Sequence, residues 1–556
     1  MDSDETEDIP LHPLNSPPDE EDAQPRYELG YTKRLLAKYT RLKCGTKVLL
    51  AISVSMICAM MFIAYSNGYL GELDDSSEAA PTEVRFAAIA ERVLGDMDRS
   101  VDPCEHFYEY ACGGWIARTQ LDTDEAARSR SFSDVAEANA EQTLATLQAG
   151  WPYISTLFDS CMDEAAVASR GLAPIEAYAV QLSGADSLNE LAAALGQLHL
   201  AGFALNPFFA VYVGIDDSAP SRYLLQLSQS PPTLPGAALE QDYRDWMGGM
   251  FAVSPSGALN TLQLLDLSHF QQRLVNISRS PAADRDPVAT YNPRSYAATQ
   301  SLLGALAPHL NALALNVSTA NVVEPEYFDA LDALLGATSL ATVRNHALLS
   351  LYLHSYGYLD ATRTAAVAGY QELLYGSAPN TERLDGCVHT TSSLLGFLVS
   401  QYFVEYHFSP ERKDAVEEMI LALEASYGSA IQESAWMDSE TRNQAAIKLG
   451  LIENMVGYPS EWPDYDAYFS DEFRLEEARF FENALGLRAS AVRREFAKLS
   501  APVNRREWEM FPSAVNAYAP FLPLTCTDTT NRLPTQSCSQ RASFRSLSTA
   551  STTPPR

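Results

Sequence analysis

Positive charge is scarce in this sequence: 39 lysines and arginines stand against 71 aspartates and glutamates, a formal charge of −32 over 556 residues. A surface this acidic repels a phosphate backbone, which excludes a nucleic-acid binder. Cysteine is scarce too. There are eight, and no two form the C-x-x-C pair that a structural zinc site would need. Stretches of alternating apolar and polar residues are rare and no segment repeats at a fixed period, which excludes an all-β body and a solenoid. What the chain does have is apolar material, 46% hydrophobic and 10% aromatic, enough for a folded body of several layers.

One uncharged run stands out, VLLAISVSMICAMMFIAYS from Val48 to Ser66. Nineteen residues at about 1.5 Å each nearly cross a hydrocarbon core of about 30 Å, and a soluble helix would show a polar stripe that this run lacks. Lys33, Arg34, Lys38, Arg41, Lys43 and Lys47 precede it, and Glu72, Asp74, Asp75 and Glu78 follow it. Positive flanks stay in the cytoplasm, so the expected order is a cytoplasmic, disordered tail (1–47), a transmembrane signal anchor (48–66) and a stalk (67–83). The remainder is an extracellular ectodomain of a single-pass type II plasma-membrane protein. Cys104, Cys112, Cys161, Cys387, Cys526 and Cys538 then lie in an oxidising compartment, where disulfides are the default. The sequons Asn276-Ile-Ser278 and Asn316-Val-Ser318 mark Asn276 and Asn316 as glycosylation sites on that side.

Beyond the stalk, apolar residues recur at helical spacing. One run is Leu331, Leu334, Leu335, Leu340, Val343, Ala347, Leu348 and Leu351; another is Val416, Met419, Ile420, Leu423 and Tyr427. Phe208 to Val213 and Tyr223 to Leu227, separated by a turn-forming segment, predict a hairpin. The expected fold class is mainly α: a single transmembrane helix and a largely helical ectodomain with a few short β-hairpins. From residue 519 the composition turns to Ser, Thr, Pro and Arg, which cannot build a core, so 519–556 is expected to be an aberrant, disordered tail.

At Val101 the chain reads VDPCEHFYEYACGGW, with Cys104 and Cys112 interleaved with aromatics, a pattern suited to a helix packed by its aromatic face. Further on come LFDSCMDEAAVASRGLAPI (Leu157 to Ile175), WMDSETRNQAAIKLGLIENMVGYP (Trp436 to Pro459) and FFENALGLRASAVRREFAKLSAPVNRREWEMFPSAVNAY (Phe480 to Tyr518). These stretches, collinear over residues 84–518, closely resemble the neprilysin and endothelin-converting-enzyme family of membrane-anchored zinc metallopeptidases. The resemblance implies a two-lobed helical ectodomain around a cavity that admits small peptides. It also implies zinc held by an H-E-x-x-H helix and a later glutamate, and it allows a homodimer.

Such a site needs two histidines one helical turn apart and a glutamate between them. None of the nine histidines, His12, His106, His199, His269, His309, His346, His354, His389 and His407, opens H-E-x-x-H. No metal ligand and no catalytic residue is therefore assigned. Zinc belongs to the full-length family and no cofactor is expected in this chain. The resemblance carries over a peptide-holding strand at Asn516 and Ala517, and Arg130 near the family's carboxylate-holding arginine. Taken without that context, the first is an ordinary strand end and the second a surface arginine. The resemblance also pairs Cys161 with Cys387, and gives Cys104 and Cys112 partners that this sequence lacks.

The tail can be read in a neighbouring frame. Moving each codon by one base lets Thr535, Ser537, Ser539, Gln540, Arg541, Ala542, Ser543, Phe544 and Arg545 become the family's N-x-I-x-F-P-A-G-I-L-Q at the correct intervals. A shifted frame or retained intron from about Ala519, with loss of the catalytic half, is the expectation. Three readings follow: a metalloendopeptidase chain inactive as written, a membrane-tethered peptide or partner binder, and a product without a stable fold.

Overall fold

The computed structural model describes residues 80–121, 128–203, 205–376, 382–465, 469 and 473–516, with the backbone alone of Ser543–Arg545. The predicted anchor 48–66 lies outside the described residues, as do the 1–47 tail, Ala517, Cys526 and Cys538. Among the described residues no helix is long and apolar enough to cross a membrane. The chain divides into two compact units at Gln120.

The first unit is a helix pair, α1 (Ala80–Asp96) and α2 (Phe107–Arg118). Arg118 ties them together by donating to the Gly95 carbonyl at 2.6 Å and pairing with Asp96. Of the aromatic residues read as a packing face, Phe107 and Tyr108 are 68% and 69% exposed, while Tyr110 is part-buried with its ring 6.4 Å from that of Phe107. Cys104 and Cys112 are free thiols.

The second unit is mainly helical around one mixed sheet. Several helices start where a side chain satisfies an orphan backbone N–H. Helices α3 (Phe132–Gln148) and α4 (Ile154–Met162) precede α5 (Leu188–Leu200), which Ser187 caps. Asn260 and Gln263 form a reciprocal capping box on α6 (Thr261–Asn276). The run from Leu331 to Leu351 is two helices, α8 (Pro325–Gly336) and α9 (Leu340–Ser355), because Ser339 accepts from the Thr342 N–H and starts a new helix.

The predicted hairpin is present as β1 (Phe209–Ile215) and β2 (Tyr223–Gln229), paired antiparallel with Val211 opposite Leu227. Its turn is organised by Asp216, whose buried carboxylate accepts from the Ser218 N–H and hydroxyl, the Tyr291 hydroxyl and Arg222. The hairpin continues into a four-stranded sheet in the order β1-β2-β4-β3, through β3 (Pro293–Ser295) and β4 (Thr319–Val322). Strands of three and four residues carry too little alternation to be seen in sequence.

Two apolar cores fill this unit. The larger lies between the sheet and helices α5, α6, α8 and α9, with Leu195, Leu225, Phe270, Leu335 and Leu351 fully buried. The smaller surrounds the Cys161–Cys387 disulfide, joining α4 to α10 (Arg383–Leu394) at a Cα separation of 5.7 Å, with Leu157, Leu395 and Val399. Arg383 seals this second core by donating to the Cys161 carbonyl at 2.7 Å and lying 5.2 Å from the Phe480 ring centre. Helix α14 (Phe480–Ala497) joins the cores, because Phe480 and Leu487 belong to the smaller and Phe481 and Phe496 to the larger.

Close approaches are written in glycine. Gly202, at φ +100°, leads out of α5 so near to α14 that a Cβ would fall 2.5 Å from the Leu485 carbonyl. Gly196 lets α5 meet α7 (Ala307–Ala312), where a Cβ would lie 2.4 Å from the His309 carbonyl.

Candidate functional site

Arg130 sits just before α3, and its guanidinium pairs with Asp134 at 3.0 Å, an i to i+4 pair about one-third exposed on each side. It is thus engaged by the first turn of the helix that follows it. Asn516 is exposed at the end of a segment pinned from two sides. Asn139 of α3 donates to the Ser513 carbonyl at 3.2 Å, and the hydroxyls of Ser513 and Ser400 meet at 3.1 Å. Ser400 lies in α11 (Gly396–His407). The structure therefore brings the helix following Arg130 against the segment leading to Asn516.

A groove of about 660 Å³ lies nearby, between α12 (Pro410–Glu433), β5 (Glu453–Met455) and the 504–508 segment, which also contributes to its lining. Its wall is aromatic and charged. Lys413 donates to the Tyr458 carbonyl at 3.1 Å while its ammonium lies 4.5 Å from the centre of the same ring. Trp462 stacks along Tyr458 at 6.4 Å, and Arg506, 80% exposed, pairs with Glu453 at 2.7 Å. Burial raises the Tyr458 hydroxyl above its usual range, helped by Asp414, Glu411 and Glu417. Sequence reasoning missed this groove, since Lys413, the Glu453–Tyr458 stretch and Arg506 are far apart in the chain. The only signal was the family-like strings around Tyr458 and Arg506.

Four of the described histidines are engaged by carbonyls and rings. His346 and His354 share α9, but the first uses Nε2–H to donate to the Pro207 carbonyl at 2.8 Å and faces Gln271 with Nδ1. His354 donates from Nδ1 to the Ser350 carbonyl at 2.8 Å. His199 and His309 lie edge to face at 5.8 Å, packed on Phe496 and Phe209. Burial lowers His199 to about 4 and His309 to about 3, the latter helped by the neighbouring imidazole. These are neutral core rings. Among the described residues no three His, Cys, Asp or Glu side chains gather as metal ligands. The sequon residues Asn276 and Asn316 are both exposed.

Comparison with known proteins places this geometry. The model of peptidase family M13 matches residues 103–459. Human endothelin-converting enzyme 1 is 27% identical over 469 residues, covering 78% of this chain and 60% of that protein. Neprilysin-2 of Drosophila melanogaster is 25% identical over 499 residues, covering 81% and 64%. The chain thus spans about three-fifths of the length of the curated relatives it matches. Among solved structures, the Mycobacterium tuberculosis zinc metalloprotease Zmp1 in complex with inhibitor superposes with a TM-score of 0.69 at 26% identity, over 77% of this chain and 67% of that one. PepO from Lactobacillus rhamnosis HN001 shares the fold at a TM-score of 0.64 and 20% identity, over 74% of this chain and 68% of that one. The match to the family model over more than half of the chain settles its membership: the protein belongs to peptidase family M13.

Proposed function

We propose that these residues form the peptide-holding helical part of an M13 metallopeptidase and do not hydrolyse peptides by themselves. The carrying observation is a pair of facts: the family match, and a sequence with no H-E-x-x-H whose buried histidines are spent on packing. Activating a water needs a cation with three protein ligands and an open position, which the H-E-x-x-H motif would begin to supply. The substrates of the complete machinery are small extracellular peptides, presented to it by a type II chain anchored at 48–66 and glycosylated at Asn276 and Asn316. Asn516 and Ala517 hold the peptide backbone, and Arg130 meets its carboxylate after giving up Asp134.

The test is elemental analysis and turnover on the purified chain. Less than about one zinc per ten chains, with no cleavage of a quenched peptide, is expected. Stoichiometric zinc with turnover overturns the reading. A non-catalytic peptide binder is the second reading, favoured by the groove beside β5. It predicts saturable peptide binding without turnover.

A further inference from the structure

β5 is three residues long, and a sheet edge offers unpaired N–H and C=O groups to any extended chain. The described strand that pairs with it is β6 (Ser543–Arg545), nearly ninety residues downstream. The pairing is parallel, with Glu453 opposite Ser543, Asn454 opposite Phe544 and Met455 opposite Arg545.

Two independent features suit this partner. The groove against β5 is lined by Glu417, Glu453, Glu461 and Glu507 and by Lys413 and Arg506; Arg506 pairs with Glu453 and Lys498 with Glu507, so the excess acid is Glu417 and Glu461 against Lys413. Residues 519–556 reverse the balance of the chain, with four arginines (Arg532, Arg541, Arg545, Arg556) and one aspartate, Asp528. Opposite charge favours encounter and fixes orientation, while main-chain pairing supplies affinity that depends little on the side chains. In the neighbouring frame the same three positions read I-L-Q, so an apolar version of the segment would meet the same edge.

We propose that the β5 edge and its acidic groove are a strand-acceptor site, which this chain closes with its own segment Ser543–Arg545. The site takes an extended, arginine-bearing peptide, and Ser543–Arg545 is its tethered occupant. High effective concentration lets a short strand hold there in cis when the same peptide in trans would bind weakly. The inference does not depend on zinc or on hydrolysis.

The test uses the full chain in detergent micelles and the variant Ser543→Pro/Phe544→Pro. Successive N–H groups of a strand point to opposite sides, so the double change removes whichever one faces β5 and leaves the folded body untouched. Amide exchange at Asn454 and Met455 is expected to speed up at least tenfold in the variant. A labelled synthetic peptide of residues 541–547 is expected to bind the variant at least tenfold more tightly than the unmodified chain, and an Arg545→Glu version of the peptide to bind more weakly at low salt. Equal exchange rates overturn the proposal, as does equal peptide affinity for both proteins. Protection that falls on tenfold dilution assigns the strand to a second copy and overturns it as well.

Discussion

Helices α14 and α12 are both long, and both carry apolar residues every three or four positions, yet they are used in opposite ways. Helix α14 buries Phe480, Phe481, Ala484 and Leu487 and ties two cores together. Helix α12 buries only Val416 and Ile431, and leaves Met419, Leu423 and Tyr427 60–63% exposed. Its neighbour α13 (Ser439–Gly450) and the loop between them add Ile447 and Trp436, the latter 80% exposed. Periodicity shows that a face is apolar, and only a packed neighbour makes it a core.

The comparison breaks most decisively at Phe480. Phe480→Ala should destabilise the fold by about 3–5 kcal/mol, read as a fall in denaturant midpoint, because the ring fills the smaller core and supports Arg383. Met419→Ala, with a similar apolar side chain on α12, should change stability by less than about 0.5 kcal/mol. Equal losses at the two positions would show that α12 is covered after all.

Removing the Cys161–Cys387 bond by Cys161→Ala/Cys387→Ala comes next. It closes a separation of 226 residues, so its loss should cost about 2–5 kcal/mol and lower Tm. Unfolding scans with and without reductant check this, since the variant should become insensitive to reductant.

Acid offers a graded test of the larger core alone. The His199 and His309 rings are held neutral, with folded values of about 4 and 3 against 6.5 unfolded. A folded value below the unfolded one means that stability is full above pH 6.5 and declines as the pH falls toward 4. At pH 4 the His199 contribution is about 3 kcal/mol. His199→Phe should flatten the decline between pH 6.5 and 4 in a urea series, and an unchanged slope would remove the imidazole from the account. A small effect on stability is also expected at Leu423→Ser/Tyr427→Ser. Stability should move by less than about 1 kcal/mol, whereas concentration-dependent scattering should fall, since the pair removes exposed apolar surface.

Much of this was legible from the letters, and the reasons differ from place to place. The Tyr223–Gln229 strand and its partner were visible because apolar runs flank a turn segment whose Asp216 organises it. The split between α8 and α9 was hidden, because one apolar stripe runs through both and only the Ser339 cap separates them. The Cys161–Cys387 pair followed from family-like strings, since spacing alone leaves many pairings open. The engagement of Arg130 with Asp134 is a matter of rotamer and was not readable. The groove beside β5 was invisible, because its lining comes from segments almost a hundred residues apart.

By itself the sequence determined the family, the helical class, the negative charge and the absence of an H-E-x-x-H motif in these residues, because each is a local string or a sum over the chain. Tertiary structure alone decided which apolar faces are buried, that α14 joins two cores, that His199 and His309 are neutral packing rings, and that a groove carrying four glutamates lies along β5. Burial and the fields it creates depend on segments distant in the chain meeting in space, and no window of sequence contains both partners.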